Sequence, residues 1–368
     1  IIALIQEERL TKIKNQCAFP LLAIKSIIEN YLDGDEKKID KVVYGTRISD
    51  PYYTCLDRYS SYSINDHIKE MNELWYPFFY EGRRNIENYW KRKYLQGNKL
   101  NKFHNYDFSF LKSSKNIKDK INYFSKIERA NVVKKHFPHI RKVLSVDHHT
   151  CHAYYAAYGG KLEKKQLKQT LILTADAWGD NRNWSVSIVK KDGSLKRLKS
   201  GQDFIVARIY KFCTLILGMK PNEHEYKVMG LSGFSNSKKH IQPIEKIFFD
   251  ILDFKNGNFL KKKPLIDSYF DLKKRLEGCR FDNIAAALQN WTSSIIFKWT
   301  EYWIKQTGMK GVAFSGGLSM NIKANGDLLN SKYIKWLSVP ASGGDESLSA
   351  GACFFEAIKN NKSVTSID

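Results

Sequence analysis

From Thr170 onward the chain follows a rhythm that few architectures accommodate. "TLILTADAWGD", "NWSVSIVKKDG" and "SLKRLKSG" are three β-rich runs separated by turn residues, which predicts an antiparallel meander. An amphipathic helix is expected over 205–217, stopped by Gly218 and Pro221. A longer helix should cover about 282–306, capped by Asp282 and ended by Gly308. "GVAFSGGLSMNIKANGDLL" and "KWLSVPASGGDESLSAGACFFEAI" then each read as strand, glycine turn, helix. Strands joined through helices need those helices on the sheet faces, so the pattern predicts an α/β fold.

The first part of the chain reads more loosely. Residues 1–5 suggest a strand and "QEERLTKIKNQ" a polar turn, so the first strand of this half is expected to lie before Ile1. "PLLAIKSIIENYL" (20–32) has helical spacing with Pro20 suited to a first turn, and "KIDKVVYGT" (38–46) reads as a short buried strand. Residues 50–130 are dense in Tyr, Trp, Phe, Lys, Arg and Asn and read as a helical insertion. The expected organisation is two halves, 1–165 carrying that insertion and 166–368, with a split near 160–168.

"VDHHTCHAYYAAYGG" (146–160) follows a strand-like run and places His148 and His152 one helical turn apart, on one face. A zinc-peptidase helix would carry Glu between such histidines, and position 149 is His. Two stacked imidazoles form half a metal site, which a hard or borderline divalent ion would complete with carboxylates. Asp176 in "TADAWGD" ends a strand, and Asp345 in "SGGDES" follows a double glycine at a strand-to-helix junction. Each can also be a turn or cap aspartate, and the histidines a packed helix start. As a set at strand ends and helix starts, His148, His152, Asp176 and Asp345 point to a metal centre.

Glycines form the second constellation. Gly316 and Gly317 lie between a buried strand and a helix, and Gly343 and Gly344 repeat the arrangement, so backbone amides there could hold a phosphate. "EYKVMGLSGF" adds Lys227 before the turn at Gly230. No Walker loop, G-x-G-x-x-G or G-x-S-x-G nucleophile elbow occurs. Six cysteines without a C-x-x-C pair argue against a zinc ribbon or disulfide framework and fit a reducing cytoplasm. No apolar run is long enough for a membrane span. A net charge of +22 suggests a polyanionic partner, although an AT-rich genome, which inflates Lys and Asn, also produces such a surplus.

In order, "EERLTKIKNQCAFP", "VDHHTCHAYYAAY", "TADAWGD", "EYKVMGLSGF", "FSGGLSMNIKANG" and "GGDESLSAGA" resemble the amino-terminal domain of the nodulation-protein and antibiotic O-carbamoyltransferase family. That domain is similar to the tRNA threonylcarbamoyl-transferase, within the actin, Hsp70 and sugar-kinase architecture. The resemblance spans nearly all of the chain outside 50–130. It implies two RNase-H-like halves around a nucleotide and metal cleft, and transfer of a carbamoyl group from carbamoyl-adenylate to a hydroxyl. His148, His152, Asp176 and Asp345 would hold a divalent ion (Fe, Zn, Mn or Mg) and carry the chemistry. Gly230, Gly316, Gly317, Asn321, Gly343 and Gly344 would line the adenylate pocket, with Lys14 and Lys227 near its phosphate. The carbamoyl-adenylate, made from carbamoyl phosphate and ATP, would come from a domain after Asp368 or on a separate chain. The family's early H-D-x-S segment is absent, Ala177 stands where glycine is favoured and Asp180 where glutamate is.

The insertion interleaves Arg83, Arg84, Lys91, Arg92 and Lys93 with Trp75 and Trp90, a mixture suited to phosphates on cations and bases on rings. A flipped base bearing a hydroxyl, such as a hydroxymethylpyrimidine in phage-like DNA, is one expected acceptor. A small-molecule or sugar hydroxyl is the alternative, with the insertion's aromatics packing its own core. A tRNA threonylcarbamoyl-transferase-like enzyme and a non-catalytic nucleic-acid-binding module are the remaining readings.

Overall fold

A computed structural model of the protein describes residues 1–97, 105–362 and 364. The chain divides into two compact units, Ile1–Asp147 and His148–Asp368. Asp368, after which the donor-forming domain is expected, lies outside the described residues.

The first unit holds a two-stranded parallel sheet of β1 (Lys41–Tyr44) and β2 (Lys142–Ser145). Between these strands the chain is helical, as its composition predicts, with helices at Ile64–Glu70, Ile86–Gln96, Ile117–Tyr123 and Arg129–His136 among others. The insertion's aromatics build its own core, with Tyr52, Tyr89, Trp90 and Phe124 buried together. Inside it the Arg58 guanidinium grips buried Glu70 through two hydrogen bonds of 2.7 and 2.9 Å and lies over the Tyr53 ring. Residues 1–5 are not a strand, and "EERLT" is a short helix (Glu7–Thr11), not a turn. Glu7 there accepts the backbone N–H groups of Leu22 and Ala23, satisfying donors at the start of helix Leu21–Tyr31.

The second unit opens with α1 (His148–Tyr158) and continues with the meander β3 (Thr170–Gly179), β4 (Arg182–Val189) and β5 (Leu195–Gly201). Helices α2 (Val206–Ile216) and α3 (Phe281–Thr307) precede β6 (Gly311–Ser315), β7 (Trp336–Ser338) and α4 (Leu348–Lys359). The sheet order is β5-β4-β3-β6-β7, antiparallel across the meander and parallel from β3 to β7. Alternation along the central strands sends Leu171, Leu173, Val312 and Phe314 into a core with Trp291, Ile295 and Trp299 of α3. Ile172 and Ala313 face the other way, against Ala153, Ala156 and Ala157 of α1 and Phe354 of α4. Buried on both faces, β3 and β6 read as continuous apolar runs. The fold is thus mixed α/β around a mixed sheet.

Two boundaries differ from expectation. The division between units falls at 147/148, ahead of 160–168, because the small apolar face of α1 packs on the second unit's sheet. Asp282 lies in the first turn of α3, and the cap position is Arg280. All six cysteines are free thiols, and no described helix is long and apolar enough to cross a membrane.

Candidate metal centre

The site is assembled where the central strands end. β3 pairs with β6 as far as Thr174 and Ser315, after which the chains part. A register shift between Ala175 and Gly179 lifts Asp176 out of the ladder, and the Ala177 N–H donates to Asp176 Oδ1 at 2.6 Å. Gly316, with φ of 96°, passes so close beneath β3 that a Cβ would lie 2.3 Å from the Ala175 carbonyl oxygen. Its N–H donates to the Gly343 carbonyl at 2.8 Å, tying the first glycine turn to the second, which carries Asp345.

Helix α1 supplies the imidazoles. Its first N–H, that of His148, donates to Asp180 Oδ2 at 2.7 Å. Asp180 and Asn181 both have left-handed backbones and form the two-residue turn between β3 and β4, so a hairpin tip caps a helix. Gly179 lies flat against the His148 ring, where a Cβ would approach to 2.3 Å.

The four predicted residues converge. His148 Nε2 and His152 Nε2 lie 3.1 Å apart, and each is 3.3 Å from Asp176 Oδ2. Asp345 Oδ1 is 3.4 and 3.6 Å from the same two nitrogens, and all four ligand atoms lie within 4.8 Å of one another. Donors held roughly 2.0–2.2 Å from one ion in tetrahedral array would stand about 3.3–3.6 Å apart, so the set fits a divalent metal. The histidines and Asp176 are largely enclosed while the Asp345 side chain is 65% exposed, which leaves an approach from solvent.

The charges of the quartet act strongly on one another. Burial opposes charge on His152, yet hydrogen bonds and the charges of Asp176 and Asp345 raise its pKa to about 9. Burial also works against Asp176, but its bonds to both imidazoles hold its carboxyl well below the usual range. His152 Nδ1 faces Ser315 Oγ at 3.4 Å, and that hydroxyl donates to the Gly343 carbonyl at 3.2 Å. His149 turns away from the quartet, its Nδ1 2.8 Å from Thr174 Oγ1, and burial followed by the neighbouring imidazoles lowers its pKa to about 3.

Other sequence-predicted residues fall in different settings. A Cβ at Gly317 would lie 3.1 Å from Asp176 Oδ1, and one at Gly343 2.3 Å from Ser319 Oγ, so both glycines serve close approach. Gly344 accepts the Ser347 N–H, and Gly230 is exposed inside the helix Glu225–Leu231 in place of the expected turn, since the segment's apolar residues and Lys227 wind as one short helix. Asn321 caps the helix Ile322–Leu329 through the Ala324 N–H, and its amide exchanges two hydrogen bonds with buried Gln289, which occupies the groups expected to face a nucleotide. Lys227 is exposed beside Tyr226, and Lys14 is exposed in the first unit.

The aromatic half of the expected nucleic-acid surface is corrected. Trp90 is buried, and half-buried Trp75 donates its indole N–H to Glu70, because an inserted helical layer must fill its own core. Arg83, Arg84 and Arg92 are exposed, while Lys91 and Lys93 are half-buried. Arg83 pairs with Glu81 and Lys93 with Glu73. Sequence reasoning missed Gly179, Ser315 and the capping role of Asp180, although a turn-forming Asp180-Asn181 pair was visible as a hairpin signal.

The family model described as carbamoyltransferase N-terminus matches residues 1–354. Uncharacterized protein MJ1051 of Methanocaldococcus jannaschii is 27% identical over 250 residues, which cover 64% of this chain and 46% of that protein. Nodulation protein NolNO of Sinorhizobium fredii is 27% identical over 221 residues, 57% of this chain and 31% of its own. The matches therefore span less than half the length of these relatives. Among solved structures, HypF of T. kodakarensis is similar with 11% identity and a TM-score of 0.32, over 67% of this chain and 40% of that one.

Proposed function

The chain belongs to the carbamoyltransferase amino-terminal family, and from that premise we propose that it is the transferase part of an O-carbamoyltransferase. The carrying observation is the convergence of two imidazoles and two carboxylates at the strand ends, open to solvent on the Asp345 side. The donor is carbamoyl-adenylate, made from carbamoyl phosphate and ATP by a partner domain or chain. The acceptor oxygen forms the new bond to the carbamoyl carbon, the bond from that carbon to the phosphate oxygen breaks, AMP leaves with the electron pair, and the hydroxyl proton passes to solvent. His148, His152, Asp176 and Asp345 hold a divalent ion (iron, zinc, manganese or magnesium), which when bound supplies a Lewis acid for a carbonyl or phosphate oxygen. Asp180 and Gly179 fix His148, while Ser315 meets His152 on the side away from the ligand set.

The glycine turns at Gly316, Gly317, Gly343 and Gly344 take the adenylate, with Lys227 and Gly230 as further contacts. Supporting a ligand there, the Ser319 hydroxyl in the first turn is buried without a hydrogen-bond partner. The architecture we propose is actin-like. Numbering the strands of the second unit's five-stranded sheet along the chain gives the order 3-2-1-4-5, three antiparallel strands followed by two helix-linked parallel ones, which supports an RNase-H-like half. For the acceptor we propose a hydroxymethylated pyrimidine in DNA, supported by the charge of +22 and exposed Arg83, Arg84 and Arg92. The packing of Trp75 and Trp90 favours the second reading, a sugar or other small-molecule hydroxyl.

The test supplies the metal-loaded protein with an adenylate-forming carbamoyltransferase half, carbamoyl phosphate and ATP over a panel of acceptors. Carbamoylated product is expected with wild type and not with His148→Ala/His152→Ala, which should also lose its metal. A double variant with undiminished metal and turnover would overturn the assignment.

A further inference from the structure

Among the tryptophans, Trp90, Trp184, Trp291 and Trp299 are buried, and Trp75, Trp303 and Trp336 are half-buried. Trp178 alone of the eight is exposed, at 44%. It stands in the irregular stretch of β3 between Asp176, a member of the quartet, and Gly179, which lies against the His148 ring. The indole is therefore held by backbone whose neighbours on both sides touch the candidate centre. The Arg208 guanidinium, from the first turn of α2, lies 5.4 Å over its ring. Helix α2, which carries this cation, packs beside β3 and beside the turn Gly317–Met320.

A flat, uncharged face next to a guanidinium is the pairing that receives a nucleotide: the base stacks on the ring and a phosphate meets the cation. The insertion offers cations, but its candidate tryptophans are committed to its core. We propose that Trp178 and Arg208 form the acceptor shelf of this site, taking a single extruded or unpaired nucleotide with its pyrimidine on the indole and its phosphate on the guanidinium. The inference rests on the nucleic-acid acceptor reading above and names the residues that would enforce it. Trp178 is a specificity residue here, acting on the acceptor and not on the metal.

The test uses the full chain, metal-loaded, and short single-stranded oligodeoxynucleotides carrying one hydroxymethylcytosine, with a matched oligonucleotide abasic at that position. Turnover is read with an adenylate-forming carbamoyltransferase half, carbamoyl phosphate and ATP added. Wild type should bind the base-bearing strand with quenching of tryptophan fluorescence and bind the abasic strand more weakly. Trp178→Ala should weaken binding roughly 5- to 100-fold with metal content unchanged, and Trp178→Phe should retain most of the affinity without the quenching. Arg208→Gln should lower affinity and reduce the salt dependence by about one phosphate contact. If Trp178→Ala binds and modifies the oligonucleotide like wild type, the shelf is wrong while the nucleic-acid acceptor stands. If wild type ignores oligonucleotides at low salt but carbamoylates a free sugar, both the acceptor reading and the shelf fall.

Discussion

Asp180 and Gly179 show how much of the candidate centre is made by residues that would not coordinate anything. The Asp180 carboxylate accepts the His148 N–H across 32 positions of sequence, so it orients the helix start from which both imidazoles project. Asp180→Ala should cost about 0.5–2 kcal/mol as a lost cap and lower metal affinity roughly 10- to 100-fold. Calorimetric titration with zinc or manganese reads the affinity directly, and wild-type binding would refute the positioning role. Gly179→Ala acts from the other side, since its methyl must displace the His148 ring. We expect a comparable loss of metal with far-ultraviolet circular dichroism unchanged. The four ligand-type residues were legible because each stands at the end of a predicted element, where side chains escape the core. Asp180 and Gly179 were not, because their partner is distant in sequence and neither residue type is unusual at a hairpin.

At the level of elements, two helices set the approach of the quartet. Gly351 of α4 meets α1 so closely that a Cβ would lie 2.0 Å from the Cys151 carbonyl oxygen. Around that contact Ala153, Ala156, Ala157 and Ala350 are buried, which keeps α1 and α4 near enough for Asp345, just before α4, to reach the imidazoles. Gly351→Ala should therefore destabilise the protein by about 1–3 kcal/mol through overpacking. For a unit of this size that is roughly 2–4 °C in Tm per kcal/mol, measurable by scanning calorimetry. An unchanged Tm would mean that the helices separate without penalty. Periodicity revealed the five strands of the second unit's main sheet and the helices α1 to α4, since both-face burial of β3 and β6 and the 3.6 period of α3 are strong signals, but it left helix Lys238–Ile251 and the small sheet after it unread. It failed at residues 1–11, where apolar residues precede a helix too short to show a period. It also failed to tell stacking platforms from core in the insertion, because Tyr, Trp and Arg serve both purposes and only burial separates them.

Over the whole molecule, the sequence reading divided the chain where the β-rich pattern restarts, and the structure divides it by packing. The difference is α1, which looked like the end of the first half because a strand leads into it, but which covers the second unit's sheet. The consequence is that all four candidate ligands lie within His148–Asp368 and none within Ile1–Asp147. A ligand that binds only the folded state stabilises what it touches, by about 2.7 kcal/mol at a hundredfold excess over Kd. Local openings report this more finely than a global melt, because amides exchange through the cheapest opening available to them. Hydrogen exchange followed by mass spectrometry, with and without a saturating divalent ion, should then show added protection in three places. These are the start of α1, the end of β3 with its Asp180 turn, and the segment from Gly343 into α4, which are joined by the bond from His148 to Asp180 and by the approach of Asp345 to His148 and His152. Residues 1–97 should exchange at unchanged rates. Uniform protection along the chain would place the ion's effect on both units together, and none at all would remove the metal centre from the second.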